Sequence, residues 1–120
     1  MPEYFKALVD ADDEPIVICD INHIIAYMNP TAVKRYAKRG GVALLGQSIF
    51  ACHNEHSKSI ILSVFEKFLN DPSLNKVYTY TKNWGGEDTD VYIVALRDST
   101  GTLIGYYEKH ESRLHEKPEA

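Results

Sequence analysis

The clearest pattern of apolar positions in this chain lies between residues 49 and 70. Six apolar side chains recur there at helical spacing: Ile60, Ile61, Val64, Phe65, Phe68 and Leu69. Apolar residues three and four positions apart share one face of an α-helix, so the segment predicts an amphipathic helix. Asn54 is a suitable N-cap for this helix, and Asp71-Pro72 is a typical end.

The last third of the chain changes to the alternating period of β-strands. Residues 75–84, 89–97 and 102–109 read as three strands, rich in β-branched and aromatic side chains. Turn-forming residues separate them: Gly85-Gly86-Glu87-Asp88 and Asp98-Ser99-Thr100-Gly101. Consecutive strands joined by tight turns predict an antiparallel meander.

The first third predicts a helix, a hairpin and a second helix. Residues 2–10 place Tyr4, Phe5, Leu8 and Val9 on one side of a short helix. Residues 15–20 and 24–28 are β-branched runs with a turn between them, which indicates a hairpin. Asn29-Pro30 predicts the start of a helix running to about Lys38, where Gly40-Gly41 stops it.

These elements together predict an α+β domain with five strands and with helices inserted after the second strand. The apolar side chains of the helices and of one sheet face must cover each other, and a cavity between them would be the natural ligand site. We expect three segments: an N-terminal helix and acidic linker over residues 1–13, the domain itself over 14–110, and a polar tail over 111–120.

Composition narrows the functional classes. The 120 residues are 44% hydrophobic and 25% charged, which suits one compact domain. The net charge of −4 argues against nucleic acid as a partner. The sequence contains no apolar run long enough to span a membrane. We interpret the basic cluster Lys34, Arg35, Lys38 and Arg39 as the solvated face of a helix.

The reactive side chains cluster before the amphipathic helix, at Cys52, His53 and His56. A Cys/His nucleophile is not expected, because no orienting acid is recognisable. The spacing of these three side chains fits no familiar zinc pattern. The other cysteine, Cys19, reads as a small buried hydrophobe, so two cysteines make no disulfide framework and indicate a cytoplasmic setting.

Several short motifs occur in the order and spacing found in the PAS family of sensory domains. Residues 20–29, with sequence DINHIIAYMN, resemble the family's acidic turn and strand closed by Asn. Leu45-Gly46-Gln47-Ser48 resembles its Leu-Gly-x-Ser segment. Asp98-Ser99-Thr100-Gly101 followed by Gly105-Tyr106 resembles its final hairpin. The resemblance covers roughly residues 14–109.

The resemblance implies a five-stranded antiparallel sheet in the order 2-1-5-4-3 with helices across one face. It implies a sensor that binds a small molecule, or a module for protein–protein contact, usually as a homodimer. PAS domains are normally joined to an output domain. None is recognisable here, so we expect this chain to signal to a partner protein in trans.

The resemblance leaves the cofactor unknown. Flavin is not expected, because Phe50-Ala51-Cys52-His53-Asn54 lacks the Asn-Cys-Arg-Phe-Leu-type motif of the photosensory members. Glu55-His56-Ser57 is similar at His56 to the segment that holds haem in oxygen-sensing members, although it departs at Ser57 and Ser59. A haem sensor with His56 as ligand therefore stays an alternative.

We expect a binding domain and not an enzyme, because no paired acid and base and no phosphate-binding loop are recognisable. The candidate pocket residues are Ile18, Tyr27, Tyr36, Cys52, His53, His56, Ile60, Val64, Ile93 and Leu96. The second hypothesis is a filled core and a ligand-free dimeric interaction module. In either case the homodimer interface is expected at Tyr4, Phe5, Leu8 and Val9.

Overall fold

The computed structural model describes residues 2–114, apart from the side chains of Cys52 and Trp84. Its helices and strands, in chain order, are α1 (Glu3–Asp10), β1 (Val17–Asp20), β2 (Ile25–Met28), α2 (Pro30–Arg35), α3 (Glu55–Asn70), β3 (Lys76–Trp84), β4 (Glu87–Arg97) and β5 (Leu103–Ser112). Three short 3₁₀ turns lie between α2 and α3, at Ala37–Arg39, Gly41–Leu44 and Ile49–Cys52.

Within residues 2–114 the strands form one five-stranded sheet in the order β2-β1-β5-β4-β3, and every adjacent pair is antiparallel. This is the order that the resemblance implies. The prediction of an α+β fold with this sheet is therefore confirmed. The chain places β1 beside β5, so the first hairpin extends the three-stranded meander.

The two main helices begin where capping chemistry predicts. The Asn54 side chain accepts a hydrogen bond from the Ser57 amide at 2.8 Å, which satisfies a free donor of the first turn of α3. The side chain of Asn29 accepts in the same way from the Ala32 amide at 2.9 Å, with Pro30 in the first turn of α2. Both predicted N-caps are present.

The α2 helix is shorter than predicted, ending at Arg35 and not near Lys38. The chain tightens into one 3₁₀ turn that ends just before Gly40 and another that begins at Gly41. The φ angles of these two glycines are +126° and +54°. This region of backbone conformation favours glycine, so the Gly pair lets the chain reverse direction here. Residues 42–49 form no α-helix.

The last strand is longer than predicted and runs to Ser112 instead of Lys109. Its extension pairs with the start of β4, where Thr89 lies opposite Ser112 and Val91 opposite His110. The first two residues of the predicted polar tail, Glu111 and Ser112, therefore belong to this strand. His110, just before them, is buried on the side of the sheet that faces the helices. The rest of the predicted tail, residues 115–120, lies outside the described part of the chain.

The core lies between the sheet and the helices. Its largest buried side chains include Phe68 of α3, Ile25 of β2, and Val91 and Ile93 of β4. The opposite face of the sheet carries Tyr78 and Ile104, which are half exposed. No helix within residues 2–114 is long and apolar enough to cross a membrane.

Candidate binding cavity and its polar cluster

A cavity of about 740 Å³ lies between the sheet and the segment from α2 to α3. Its walls come from both layers of the fold. The residues that line it are Val17, Cys19, Ile25, Met28, Arg35, Tyr36, Arg39, Leu44, Ile49, His53, Asn54, His56, Ser57, Ile60, Ile61, Thr79, Tyr80, Lys82, Tyr106 and Glu108. A space of this size between apolar layers, with a few polar groups, is typical of a small-molecule site.

The mouth of the cavity lies at the 3₁₀ turns and the start of α3. Arg35, Arg39 and His56 line the cavity and are also exposed to solvent. Arg39 and His53 also line a shallower depression of about 600 Å³ next to it. These residues therefore mark the side on which the cavity meets solvent.

A carboxylate lies between two imidazoles in the wall of the cavity. Nε2 of His53 lies 3.7 Å from Oε1 of Glu108, and Nε2 of His110 lies 3.7 Å from Oε2 of Glu108. Burial raises the pKa of the Glu108 carboxyl, but the two imidazoles outweigh burial and lower the pKa to about 2. Glu108 is therefore an ionised, largely buried carboxylate at neutral pH.

The orientation of His53 is set by the backbone. Its Nδ1–H donates to the carbonyl oxygen of Ile49 at 2.8 Å, since a carbonyl can only accept. The other ring nitrogen, Nε2, therefore points toward the Glu108 carboxylate, 3.7 Å from its Oε1.

Two tyrosines complete the polar wall. Burial, with a contribution from Glu108, raises the pKa of Tyr80 to about 12. Burial likewise raises the pKa of Tyr106, with smaller contributions from Cys19 and Glu108. The Tyr106 hydroxyl lies 2.8 Å from Nδ1 of His23, whose pKa is lowered by burial and partly restored by Asp20. Both phenols are protonated at neutral pH and can donate hydrogen bonds.

Comparison with solved structures finds the same fold in proteins of very different sequence. The PAS domain of a protein from Colwellia psychrerythraea superposes with a TM-score of 0.63 at 17% identity, covering 91% of this chain and 92% of that one. A C-terminal domain from Streptococcus mutans gives a TM-score of 0.73 at 20% identity, covering 91% of this chain and 82% of that one.

This chain has a PAS-like fold. A third similar structure is the Aer2 receptor of Vibrio cholerae, described as a dual PAS-heme oxygen sensor, with a TM-score of 0.56 at 17% identity over 83% of this chain and 94% of that one. Neither a protein-family model nor a curated protein matches the sequence. At these identities the similarity establishes the fold alone.

The PAS-like fold brings part of the predicted pocket set together. Tyr36, His53, His56 and Ile60 line the cavity. Their positions follow from α2 and the start of α3, which lie over the sheet. The side chain of Cys52 lies outside the described part of the structure.

Three predicted pocket residues lie on the other face of the sheet. Ile18 and Tyr27 are paired across β1 and β2, while their neighbours Val17 and Cys19 face the cavity. The Tyr27 hydroxyl donates to the Asp10 carboxylate of α1, away from the cavity. Leu96 alternates with the buried positions of β4 and also faces outward. Successive side chains of a strand point to opposite faces, so an error of one residue moves a side chain across the sheet.

Two more predicted pocket residues point into the core between the helices and the sheet but do not line the cavity. Val64 and Ile93 are 4% and 2% exposed, and they pack in the core beside the cavity. The core is therefore filled at this end of α3, while the space opens toward the first turn of the helix.

Two polar residues of the cavity wall, Tyr80 and Lys82, were missed for a reason specific to β3. The register shifts between Tyr78 and Tyr80, where Thr79 forms a bulge and donates its hydroxyl to the Val91 carbonyl at 2.7 Å. Strict alternation would place Tyr80 on the face opposite Val77, but the bulge returns it to the same face. Tyr80 and Lys82 therefore face the cavity. No signal in the sequence marks this bulge.

Haem ligation by His56 does not fit this geometry. A histidine that holds iron is normally fixed by a hydrogen bond from its other ring nitrogen. The His56 ring makes no such bond to any residue in 2–114, and the residue is exposed at the mouth. His53 does have its other ring nitrogen, Nδ1, fixed by a hydrogen bond, to the Ile49 carbonyl oxygen. Its Nε2 faces Glu108, however, and is not directed at an open iron site. Within the described residues no group of three His, Cys, Asp or Glu side chains is arranged to hold a metal ion.

The predicted interface residues lie on the solvent side of α1. Tyr4, Phe5 and Leu8 are 89%, 63% and 74% exposed, and Val9 is partly buried. The backbone of α1 is tied to the domain through the Val9 carbonyl, which accepts a hydrogen bond from the Asn29 side chain at 3.1 Å. The helix thus has a fixed attachment and an uncovered apolar face.

Proposed function

We propose that this protein is a cytoplasmic sensory domain that binds a small molecule in the cavity and reports its presence to a partner protein. The observation that carries the proposal is the cavity of about 740 Å³ between sheet and helices, with a cluster of polar groups converging on it. The proposal is for binding and signalling and includes no catalytic step.

Two features of the cavity support a ligand over a filled core. Its volume lies within the range of about 300–1,000 Å³ that is usual for small-molecule sites. Its wall combines apolar side chains such as Ile25 and Ile60 with the hydroxyl donor of Tyr80. An interior closed only for stability would be expected to place an apolar group at this partly buried position, because buried polar groups need partners.

The proposal can be tested by closing the cavity mouth. Ser57 lines the cavity in the first turn of α3, whereas Ser59 is exposed and lies outside its lining. Ser57→Trp should fill part of the cavity, and Ser59→Trp is the matched control on the same helix. A metabolite library would be screened by thermal shift against both variants and the unmodified protein.

We expect at least one compound to raise the Tm of the unmodified protein and of Ser59→Trp, but not that of Ser57→Trp. A ligand at about ten times its Kd adds about 1.4 kcal/mol to the free energy of unfolding, or about 5 °C in a domain of this size. Compounds that stabilise Ser57→Trp as much as the unmodified protein would contradict binding in this cavity.

We also propose a homodimer formed through α1. The supporting observation is the apolar face of Tyr4, Phe5 and Leu8, which is exposed in the isolated chain. An amphipathic helix with an uncovered apolar face gains free energy by burying it. Association of two such helices would leave the cavity mouth accessible, since no residue of α1 lines the cavity.

Sedimentation velocity tests this interface. The unmodified protein should sediment as a dimer, and Phe5→Ser combined with Leu8→Ser should sediment as a monomer. Val42→Ser combined with Leu69→Ser, which changes two exposed apolar side chains elsewhere, should remain dimeric. A dimer that persists in the α1 variant would refute the interface.

A further inference from the structure

The cavity has a pronounced imbalance of charge along its lining. Among the described residues that line it, Arg35, Arg39 and Lys82 carry permanent positive charge and Glu108 carries negative charge. Glu108 has an imidazole beside each of its oxygens, from His53 and His110. Three of the four permanent charges in the lining are positive, so its net fixed charge is positive.

The basic groups come from two sides of the cavity. Arg35 and Arg39 are four residues apart, at the end of α2 and in the following 3₁₀ turn, with Tyr36 on the same side. Lys82 comes from β3 in the opposite wall, where the bulge at Thr79 turns it toward the helices. Both layers of the fold therefore contribute positive charge to the lining of the cavity.

The basic cluster in the sequence is divided by the fold. Lys34 and Lys38 are exposed and do not line the cavity, so they form the solvated helix face that the sequence indicates. Arg35 and Arg39, their direct neighbours, do line it. The two arginines are therefore part of the cavity wall and do not simply belong to a basic surface.

The apolar groups lie deeper than the basic ones. Ile25, Met28 and Ile61 are buried, while Arg35 and Arg39 are exposed at the mouth. A ligand that satisfies both regions has an apolar body inside and an anionic group near the opening. Arginine suits a carboxylate in particular, because its planar guanidinium can donate two parallel hydrogen bonds.

We propose that the cavity selects a small organic carboxylate whose apolar body packs against the helices' side of the sheet and whose carboxylate is bound by Arg39 and Lys82 at the mouth. This inference rests on the proposed function, since it names the class of ligand that the same cavity binds. Tyr80, beside Lys82, offers a hydroxyl donor to the same group.

Three probes of matched shape test the charge preference: phenylbutanoate, phenylbutanamide and phenylbutylammonium. Binding would be followed by proton–nitrogen correlation NMR, so that shifts of the cavity residues report the site. We expect phenylbutanoate to bind about tenfold more tightly than the amide, which corresponds to one charge-assisted hydrogen bond. The ammonium should bind most weakly.

Charge-removing variants identify the groups responsible. Arg39→Gln and Lys82→Gln should each weaken phenylbutanoate about five- to tenfold and leave phenylbutanamide unchanged. Lys38→Gln, which removes the same charge one residue away from Arg39, should change neither probe. Equal losses for the carboxylate and the amide in the Arg39 or Lys82 variant would overturn recognition of the anion.

The remaining outcomes separate this inference from the proposed function. If the amide or the ammonium binds in the cavity as tightly as the carboxylate, the anion preference is refuted while small-molecule binding stands. If no probe shifts any cavity resonance at low-millimolar concentration, the inference is refuted, and the thermal-shift screen with Ser57→Trp tests the proposed function separately.

Discussion

The cluster of Glu108, His53 and His110 makes a specific prediction about stability and pH. Glu108→Gln keeps the size of the side chain and removes its negative charge. Two imidazoles lie 3.7 Å from the carboxylate oxygens, and they favour the ionised form in the folded protein. We therefore expect the substitution to destabilise the protein, by an amount that depends on pH.

The magnitude follows from the pKa of Glu108. The imidazoles lower it from an ordinary 4.5 to about 2 in the folded state, although burial acts in the other direction. A tenfold change in proton affinity is about 1.4 kcal/mol, so the ionised carboxylate contributes at most about 3 kcal/mol. A folded pKa below the unfolded one means that this stability is present above pH 4.5 and is lost as the pH falls toward 2.

Urea unfolding followed by circular dichroism measures this effect. Unfolding free energies of the unmodified protein and of Glu108→Gln would be compared at several values between about pH 5.5 and pH 3. The gap between the two proteins should be about 1–3 kcal/mol at the upper end and should shrink steadily toward the lower end.

Glu111→Gln is the matched control, since Glu111 lies on the same strand, faces the other side and pairs with Lys76 at the surface. Its effect should stay below about 1 kcal/mol, as expected for an exposed ion pair. A Glu108→Gln protein as stable as the unmodified one near pH 5.5, or a gap that does not narrow in acid, would refute the reasoning. Either result would show that burial of the carboxylate outweighs its two imidazole partners.

Three further predictions test the fold and the cofactor. Asn29→Ala removes the side-chain oxygen that accepts hydrogen bonds from the amides of Ile16 and Ala32. It should lower the free energy of unfolding in urea by about 3 kcal/mol. An effect below about 1 kcal/mol would contradict the role of this buried side chain. Gly105→Ala places a Cβ 2.3 Å from the Cys19 carbonyl oxygen and should lower the free energy of unfolding by about 3 kcal/mol. Gly101→Ala, where only the positive φ opposes a side chain, should lower it by about 1 kcal/mol. Equal losses would argue against the close approach of β1 and β5. Added haemin should give the same absorption spectrum with the unmodified protein and with His56→Ala. A Soret band that is present in the first and lost in the second would restore the haem hypothesis.

Much of the fold could be predicted because the signals for it are local. The apolar stripe from Ile60 to Leu69 and the Asn54 cap define α3 through interactions within a few residues. The alternation in β4 groups Val91, Ile93 and Ala95 on one face, and the structure shows that this face is the buried one. The meander follows from turns whose composition is distinctive.

The cavity wall could be predicted only in part. His53, His56 and Ile60 belong to one continuous stretch near α3, so the sequence places them together without knowledge of the sheet. Ile18 and Tyr27 were assigned to the wrong face, because strand periodicity alone does not say which of its two faces is buried.

The sequence by itself determined the types and order of the elements, since helix caps, turns and periodicity depend on neighbouring residues. Only the tertiary structure decided which ionisable groups meet. Glu108 lies 55 positions from His53 along the chain, and their contact depends on the pairing of β5 and on the position of the 3₁₀ turns above the sheet. Likewise, a bulge at Thr79 turns Tyr80 and Lys82 into the cavity. Such contacts arise from register and from packing between distant segments, which local sequence patterns do not specify.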